Sequence, residues 1–199
     1  AINAVAAFLV EEDIICYLDD DNQLREDHVE SLVNVIEQGA DFAYSLRSFY
    51  DSNHQFICND DFDSLGNWNT KSDIFVDVKI EDIQKQIHFT FNEVNGHIDT
   101  NCYAVPREIA QKTSYSWNTP LIGDRSFLSA LKSLGLIGQT SGKYTVKYRA
   151  DFNKLIAVRR VFPQLSLSDE DNNNISAKIL EVINQQNIEY YGGRPWAKE

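Results

Sequence analysis

Ile14-Ile15-Cys16-Tyr17-Leu18 is an unbroken apolar run that opens directly into Asp19-Asp20-Asp21-Asn22. Glu11, Glu12 and Asp13 bound it on the other side. A short apolar run with β-branched residues and charged flanks is the pattern of a strand buried on both faces, as in parallel sheets. Such a strand presents the acids at its C-terminal end, where open α/β sheets bind ligands. Alternate residues of an extended chain point the same way, so Asp19 and Asp21 are expected to face one ligand and Asp20 to face away. Converging carboxylates repel unless a cation or protons neutralise them. Oxygen-only ligation with few protein groups suits Mg²⁺ or Mn²⁺ held jointly with phosphates.

The rest of the chain alternates helix and strand signals. Ala1 to Val10 is Ala-rich and helix-compatible. Leu24, Val29, Leu32, Val33 and Ile36 recur at helical spacing up to Gln38, with Asn22 as a cap and Gly39 as the stop. Asp41 to Tyr50 reads as a strand, with His54 to Cys58 as its hairpin partner. Asn59 to Ser72 reads as a long loop, of the kind that is often functional. Asp73 to Phe91 gives weaker strand signals, and Ile98 to Val105 reads as a strand. Pro106 starts a short helix to Lys112. Ser114 to Pro120 is a loop holding Trp117, and Asp124 to Leu134 is helical, with Gly135 as its stop. Lys143 to Arg149 alternates like an edge strand. Ile175 to Gln185 is an amphipathic helix, followed by a Gly/Pro/aromatic tail from Tyr190. No linker interrupts residues 1–199, which predicts one α/β domain: a mixed sheet flanked by helices.

Thirty acidic and 18 basic residues give a formal charge of −12. No basic stripe of the kind that binds nucleic acid or anionic membranes is visible. No stretch reaches the ~18–20 apolar residues of a membrane span. Outside Asp19–Asp21, the acid clusters at 11–13, 60–63 and 169–171 read as solvated loops. Cys16, Cys58 and Cys102 have no metal-ligand spacing, and a reducing cytoplasmic setting fits them, with peripheral membrane association left open. The chain starts at Ala1 and contains no methionine, which predicts residues upstream.

The segment CYLDDDNQLREDHVESLVNVIEQGADFAYS resembles the centre of family-2 glycosyltransferases of the GT-A, Rossmann-like fold. There a strand ends in a DxD-type motif and is followed by a helix and a second strand. HIDTNCYAVPREIA resembles the acceptor-side strand and helix of that family. IGDRSFLSAL resembles the helix start that carries its catalytic acid, and GKYTVKYR a strand that follows. The similarity covers about residues 1–149, leaving 150–199 as a C-terminal extension. It departs from the family in lacking the first strand before Ala1, and in having Gly123-Asp124-Arg125 for the usual Glu-Asp pair.

The resemblance implies an inverting transfer of a sugar from a nucleotide-diphosphate donor to a hydroxyl acceptor, with Mn²⁺ or Mg²⁺. Asp19 would contact the nucleotide or its metal, and Asp21 would be the direct metal ligand. Asp20 and Asn22 would lie close by, and Asp124 would be the general base. Asp99, Thr100 and Asn101 are placed to contact donor or acceptor; the competing reading is internal hydrogen bonding. Trp117 either stacks on a sugar or packs in the core, and Arg125 is a candidate for phosphate. His28 reads as structural, and His54, His88 and His97 show no ligand spacing. A haloacid-dehalogenase-type phosphatase also joins a strand to Asp-x-Asp and a later Gly-Asp, but Gln23 stands where that chemistry needs Thr or Val. A carbohydrate- or metal-binding domain without turnover is the third reading.

Overall fold

The computed structural model describes residues 2–91, 96–119, 123–151, 156 and 158–198. Ala1, Pro120 and Ile122, which figure in the sequence patterns, lie outside the described residues. Helix α1 (Ile2–Leu9) leads to strands β1 (Ile14–Cys16) and β2 (Gln23–Leu24) and helix α2 (His28–Glu37). Strands β3 (Phe42–Tyr50), β4 (Phe56–Asn59), β5 (Asp73–Ile80) and β6 (Ile83–Thr90) follow. A 3₁₀ turn (Thr100–Cys102), strand β7 (Tyr103–Pro106), helix α3 (Arg107–Lys112) and a second 3₁₀ turn (Ser114–Asn118) come next. Helix α4 (Gly123–Ser133), strand β8 (Gly138–Arg149) and helices α5 (Val158–Val161) and α6 (Asp169–Tyr191) complete the chain.

The main sheet has the order β1–β7–β3–β8–β2. β3 and β8 are parallel, and the other neighbours are antiparallel. β7 pairs with Ala43 and Tyr44, and β4 takes over that edge of β3 from Ser48 to Tyr50. Side chains alternate across the sheet. Ile15, Tyr17, Phe42, Tyr44, Tyr103 and Val105 pack with Trp117 and with Phe127 and Leu131 of α4. Ile14, Cys16, Ala43 and Ala104 face the other way, towards Leu32 and Val35 of α2. The two alanines leave room for α2 to seat closely. The class is therefore the expected one: a mixed α/β sheet flanked by helices, compatible with a Rossmann-like arrangement.

β5 and β6 form a separate hairpin whose Ile74, Val76 and Val78 pack against Ile179, Leu180 and Ile183 of α6 and Phe49 of β3. α6 is capped by Ser168, whose hydroxyl accepts from Asp171 N–H, and ends at left-handed Gly192. Its side-chain amides hold the loop after β4. Asn184 donates to Asn59 O (2.7 Å) and accepts from Asp61 N–H (2.9 Å). Asn187 donates to Asp61 O (2.7 Å) and accepts from Lys71 N–H (2.8 Å). Residues beyond 150 thus share the core of the preceding ones. Among the described residues no helix is long and apolar enough to cross a membrane.

Several boundaries differ from the sequence reading. β1 stops at Cys16, stands at the end of the strand order and pairs antiparallel with β7, so it is not the strand buried on both faces that its apolar run predicts. Gln23 and Leu24 pair with Lys147 and Val146, and Arg25 N–H donates to Thr145 O (2.8 Å). The chain is still extended there, so α2 starts at His28 with Asp27 at its N-cap, and Asn22 caps nothing. β8 is an inner strand, not an edge, since β2 covers its far side. The expected strand from Ile98 is broken by a tight turn in which the Asp99 carboxylate accepts from Asn101 N–H (3.0 Å). The tail is anchored, with Trp196 fully buried and its indole N–H donating to Asp61 (2.8 Å).

Trp196→Ala empties a filled site and strands part of Asp61. It should lower the unfolding free energy by about 3–5 kcal/mol, read from urea denaturation. An unchanged midpoint would show that the tail does not hold the loop.

Candidate active site

The acidic residues after β1 form a turn, closed by Asn22 N–H donating to Asp19 O (3.2 Å). Both ends are pinned. Asn22 Oδ1 accepts from Arg149 N–H (2.8 Å). Asp19 N–H donates to Asn101 Oδ1 (2.6 Å), while Asn101 Nδ2 donates back to Asp19 Oδ2 (2.9 Å). Asp20 and Asp21 are the exposed central residues. Because the chain turns here, the extended-chain argument for Asp19 and Asp21 facing one way does not hold; the turn itself keeps them close. Partial burial pushes the Asp19 carboxyl up, and the charges of Asp99, Asp21 and Asp20 add to this against the Asn101 hydrogen bond.

Among the described residues no cation pairs with Asp19, Asp20 or Asp21. Nor does any group of three or more His, Cys, Asp or Glu form a metal cage among those residues. Carboxylate oxygens with no cationic partner are the donor type that a hard divalent cation takes when it draws most of its ligands from phosphate and water.

Behind the turn lies a buried charge network. Arg47 of β3 donates to Asp60 (2.7 Å), Asp63 (2.6 Å) and Asp99 (2.5 Å), with its guanidinium 4.3 Å from the Tyr148 ring centroid. Asp60 also accepts from the N–H groups of Phe62, Asp63 and Ser64, which folds the loop around its carboxylate. Asp99 reaches on through Asn101 Nδ2 (2.8 Å). Asp63 faces His97 Nδ1 (3.2 Å), and His97 Nε2 faces Asp124 Oδ2 (2.9 Å). A continuous path therefore runs from Asp19 through Asn101, Asp99, Arg47, Asp63 and His97 to Asp124.

His97 meets a carboxylate at each ring nitrogen, which favours the doubly protonated ring. Burial alone would lower its pKa, but Asp63 and then Asp124 raise it to about 10. Burial would likewise raise Asp124, yet the hydrogen bond and charge of His97 hold its carboxyl below the ordinary range. His97 and Arg47 do the same for Asp63. The position of His97 depends on close backbone approach. Gly66 N–H donates to His97 O (2.7 Å), and a Cβ on neighbouring Gly96 (φ +76°) would meet Gly66 O at 1.8 Å.

The structure thus joins Asp19, Asp99, Asn101 and Asp124, and leaves Asp20, Asp21 and Arg125 exposed beside them. Trp117 is not available to stack on a sugar. It is buried, stacked on Phe127 (centroids 4.4 Å apart) and packed against Tyr17 (5.0 Å). His28 is buried with Nδ1 2.8 Å from Thr145 Oγ1, a structural contact as expected. Arg47, Asp60, Asp63 and His97 were not singled out from sequence. Asp60 and Asp61 are buried rather than solvated, because Arg47, Trp196 and backbone N–H groups satisfy them. The usable signal was the polar loop from Asn59 to Ser72; nothing local marks His97.

A Haemophilus influenzae strain Rd protein described as an uncharacterized protein is 98% identical to this chain over 132 residues, which is 66% of this chain and 89% of that protein. The chain belongs to that protein's family. No family model matches the sequence.

The raised pKa of His97 has a thermodynamic consequence. Its protonation contributes stability that is complete below the ordinary value of 6.5 and is lost as pH climbs to about 10. Unfolding free energies measured across that window should decline in the wild-type chain and decline less steeply in His97→Gln. Parallel slopes would remove the imidazolium from the network.

Proposed function

We propose that this chain is an inverting glycosyltransferase that moves a sugar from a nucleotide-diphosphate donor to a hydroxyl acceptor, with Mn²⁺ or Mg²⁺ and in a cytoplasmic setting. The observation that carries the reading is the hydrogen-bonded path from Asp19 to Asp124. That path links residues from segments that resemble family-2 transferases and lie more than 100 positions apart in sequence. Three free cysteines agree with a reducing compartment.

In this reading Asp21 and Asp19 would hold the divalent cation, and through it the donor's diphosphate end. A bound divalent cation would supply positive charge against the negative charge growing on the leaving diphosphate. Asn101 fixes Asp19 by a reciprocal pair of hydrogen bonds, so the turn meets its ligand preorganised. Asp124 takes the proton of the acceptor hydroxyl as its oxygen bonds to the anomeric carbon. The bond from that carbon to the diphosphate oxygen breaks, and its electron pair leaves with the diphosphate. The lowered pKa of Asp124 makes it a weak base but keeps it ionised at neutral pH. His97 aims it, so proximity and orientation carry more of the rate than basicity.

Donors are screened by thermal shift with UDP-, GDP- and dTDP-sugars plus Mn²⁺, since a ligand of the native state raises its stability by mass action. Asp21→Asn should abolish the metal-dependent shift. Asp124→Asn should keep the shift but lower turnover roughly 10²–10⁴-fold. Wild-type donor affinity and rate in Asp21→Asn would defeat the assignment.

A further inference from the structure

Arg125 lies in the first turn of α4, exposed, and lines three adjoining cavities. One of about 220 Å³ is bounded by Asp63, His97, Trp68 and Asn69. A larger one, of about 720 Å³, shares Arg125, Asn69 and Gly96 with it. One wall of the larger cavity is a single stripe of α4: Arg125, Leu128, Ser129, Lys132 and Ser133. These positions fall at i, i+3, i+4, i+7 and i+8, which is one helix face. Asn67 and Asn69 stand opposite.

The sign of this cavity is the reverse of the molecule's. The chain carries 30 acidic and 18 basic residues. Among the described residues the larger cavity has cations, amides and hydroxyls in its walls and no carboxylate. Two acids lie towards Arg125: Asp63, already engaged by Arg47 and His97, and Asp124, which accepts from Arg125 N–H (2.7 Å) and from His97. Arg125 itself makes no ion pair at hydrogen-bonding distance among the described residues. Burial holds the Lys132 ammonium below its ordinary range, so Arg125 is the firmer charge of the pair. The N-terminal end of an eleven-residue helix adds its own partial positive charge there.

We propose that this cavity binds an anionic substituent, a carboxylate or a phosphate, on the acceptor saccharide, with Arg125 as its main ligand and Ser129 and Asn69 as hydrogen-bonding partners. The planar guanidinium matches either group through two parallel N–H donors. The shared wall with the smaller cavity leads from Arg125 to His97, and His97 is bonded to Asp124. An acceptor anchored by its charge then presents a hydroxyl towards that carboxylate. The word acceptor rests on the glycosyltransferase reading; the anion site does not.

The wild-type chain is titrated with glucuronate, glucose 6-phosphate and glucose, following backbone amide shifts in α4. At least one anionic sugar should bind tenfold or more tightly than glucose, and the stronger of the two identifies the substituent. Arg125→Gln should bring both to the level of glucose while its thermal unfolding stays unchanged, since the side chain is exposed. Anionic sugars that bind no better than glucose, or an Arg125→Gln variant that binds them like the wild type, would overturn the site. Anion binding that depends on Arg125, together with no turnover of any sugar nucleotide, would keep the site and sink the transferase reading. Transfer to neutral acceptors without any anion preference would do the opposite.

Discussion

One guanidinium organises the acidic interior of this protein. Arg47 is almost wholly buried, and each of its three nitrogen groups donates to a different aspartate: Asp60, Asp63 and Asp99. Desolvating so many charges is costly, and an ion pair of this kind is weak evidence for net stability. Its effect is on geometry. Breaking a buried pair costs about 3–5 kcal/mol because the stranded partner stays charged and dry. The loop after β4 and the turn at Asp99 are thereby tied to β3. Aromatic rings of Phe49 and Tyr148 flank the guanidinium, which leaves it little room to turn.

The consequences reach further than the contacts. Asp60 holds its loop through three backbone N–H groups, and α6 holds the same loop from outside through Asn184 and Asn187. That places Asp63 where His97 meets it, and His97 where it aims Asp124. On the other side, Asp99 positions Asn101, which locks Asp19. A helix near the C-terminus therefore supports a site whose candidate residues lie in the first 125 positions. Both ends of the site share one rigid support, the middle of β3.

Local pattern made most of the framework readable. Local composition and punctuation located α1, β3, the β4 partner, α3 and α4: an alanine-rich run, an aromatic-rich run, Pro106 opening a helix and Gly135 closing one. The errors fall where tertiary hydrogen bonds override pattern. Leu24 has helical spacing, yet it is drawn into β2 by β8. Ile98 to Val105 is apolar enough for a strand, yet the Asp99 side chain bends it. Of the candidate residues, Asp19 and Asp124 stood out at the ends of recognisable elements, and Asp99 and Asn101 as polar residues inside an apolar run. Arg47 was hidden inside a strand, where a charge looks like a surface residue. Asp60 and Asp63 looked like solvated loop acids because their partner lies on another element, and His97 had no neighbouring motif at all. Trp117 erred in the opposite direction, an aromatic in a polar segment that the core claimed.

The two sets of acids differ in one respect that matters for function. Asp60, Asp63 and Asp99 are compensated by Arg47, with His97 adding to Asp63. Asp19, Asp20 and Asp21 have no cation among the described residues, and Asp19 is pushed up in pKa partly by its own neighbours. A fold that can bury a fully satisfied aspartate cluster around one arginine has the means to neutralise three more acids at its surface. Natural sequences break local consistency mainly where function demands it. Asn101 and Arg149 hold this turn in place, and under the proposed function a divalent cation would supply the positive charge that it lacks.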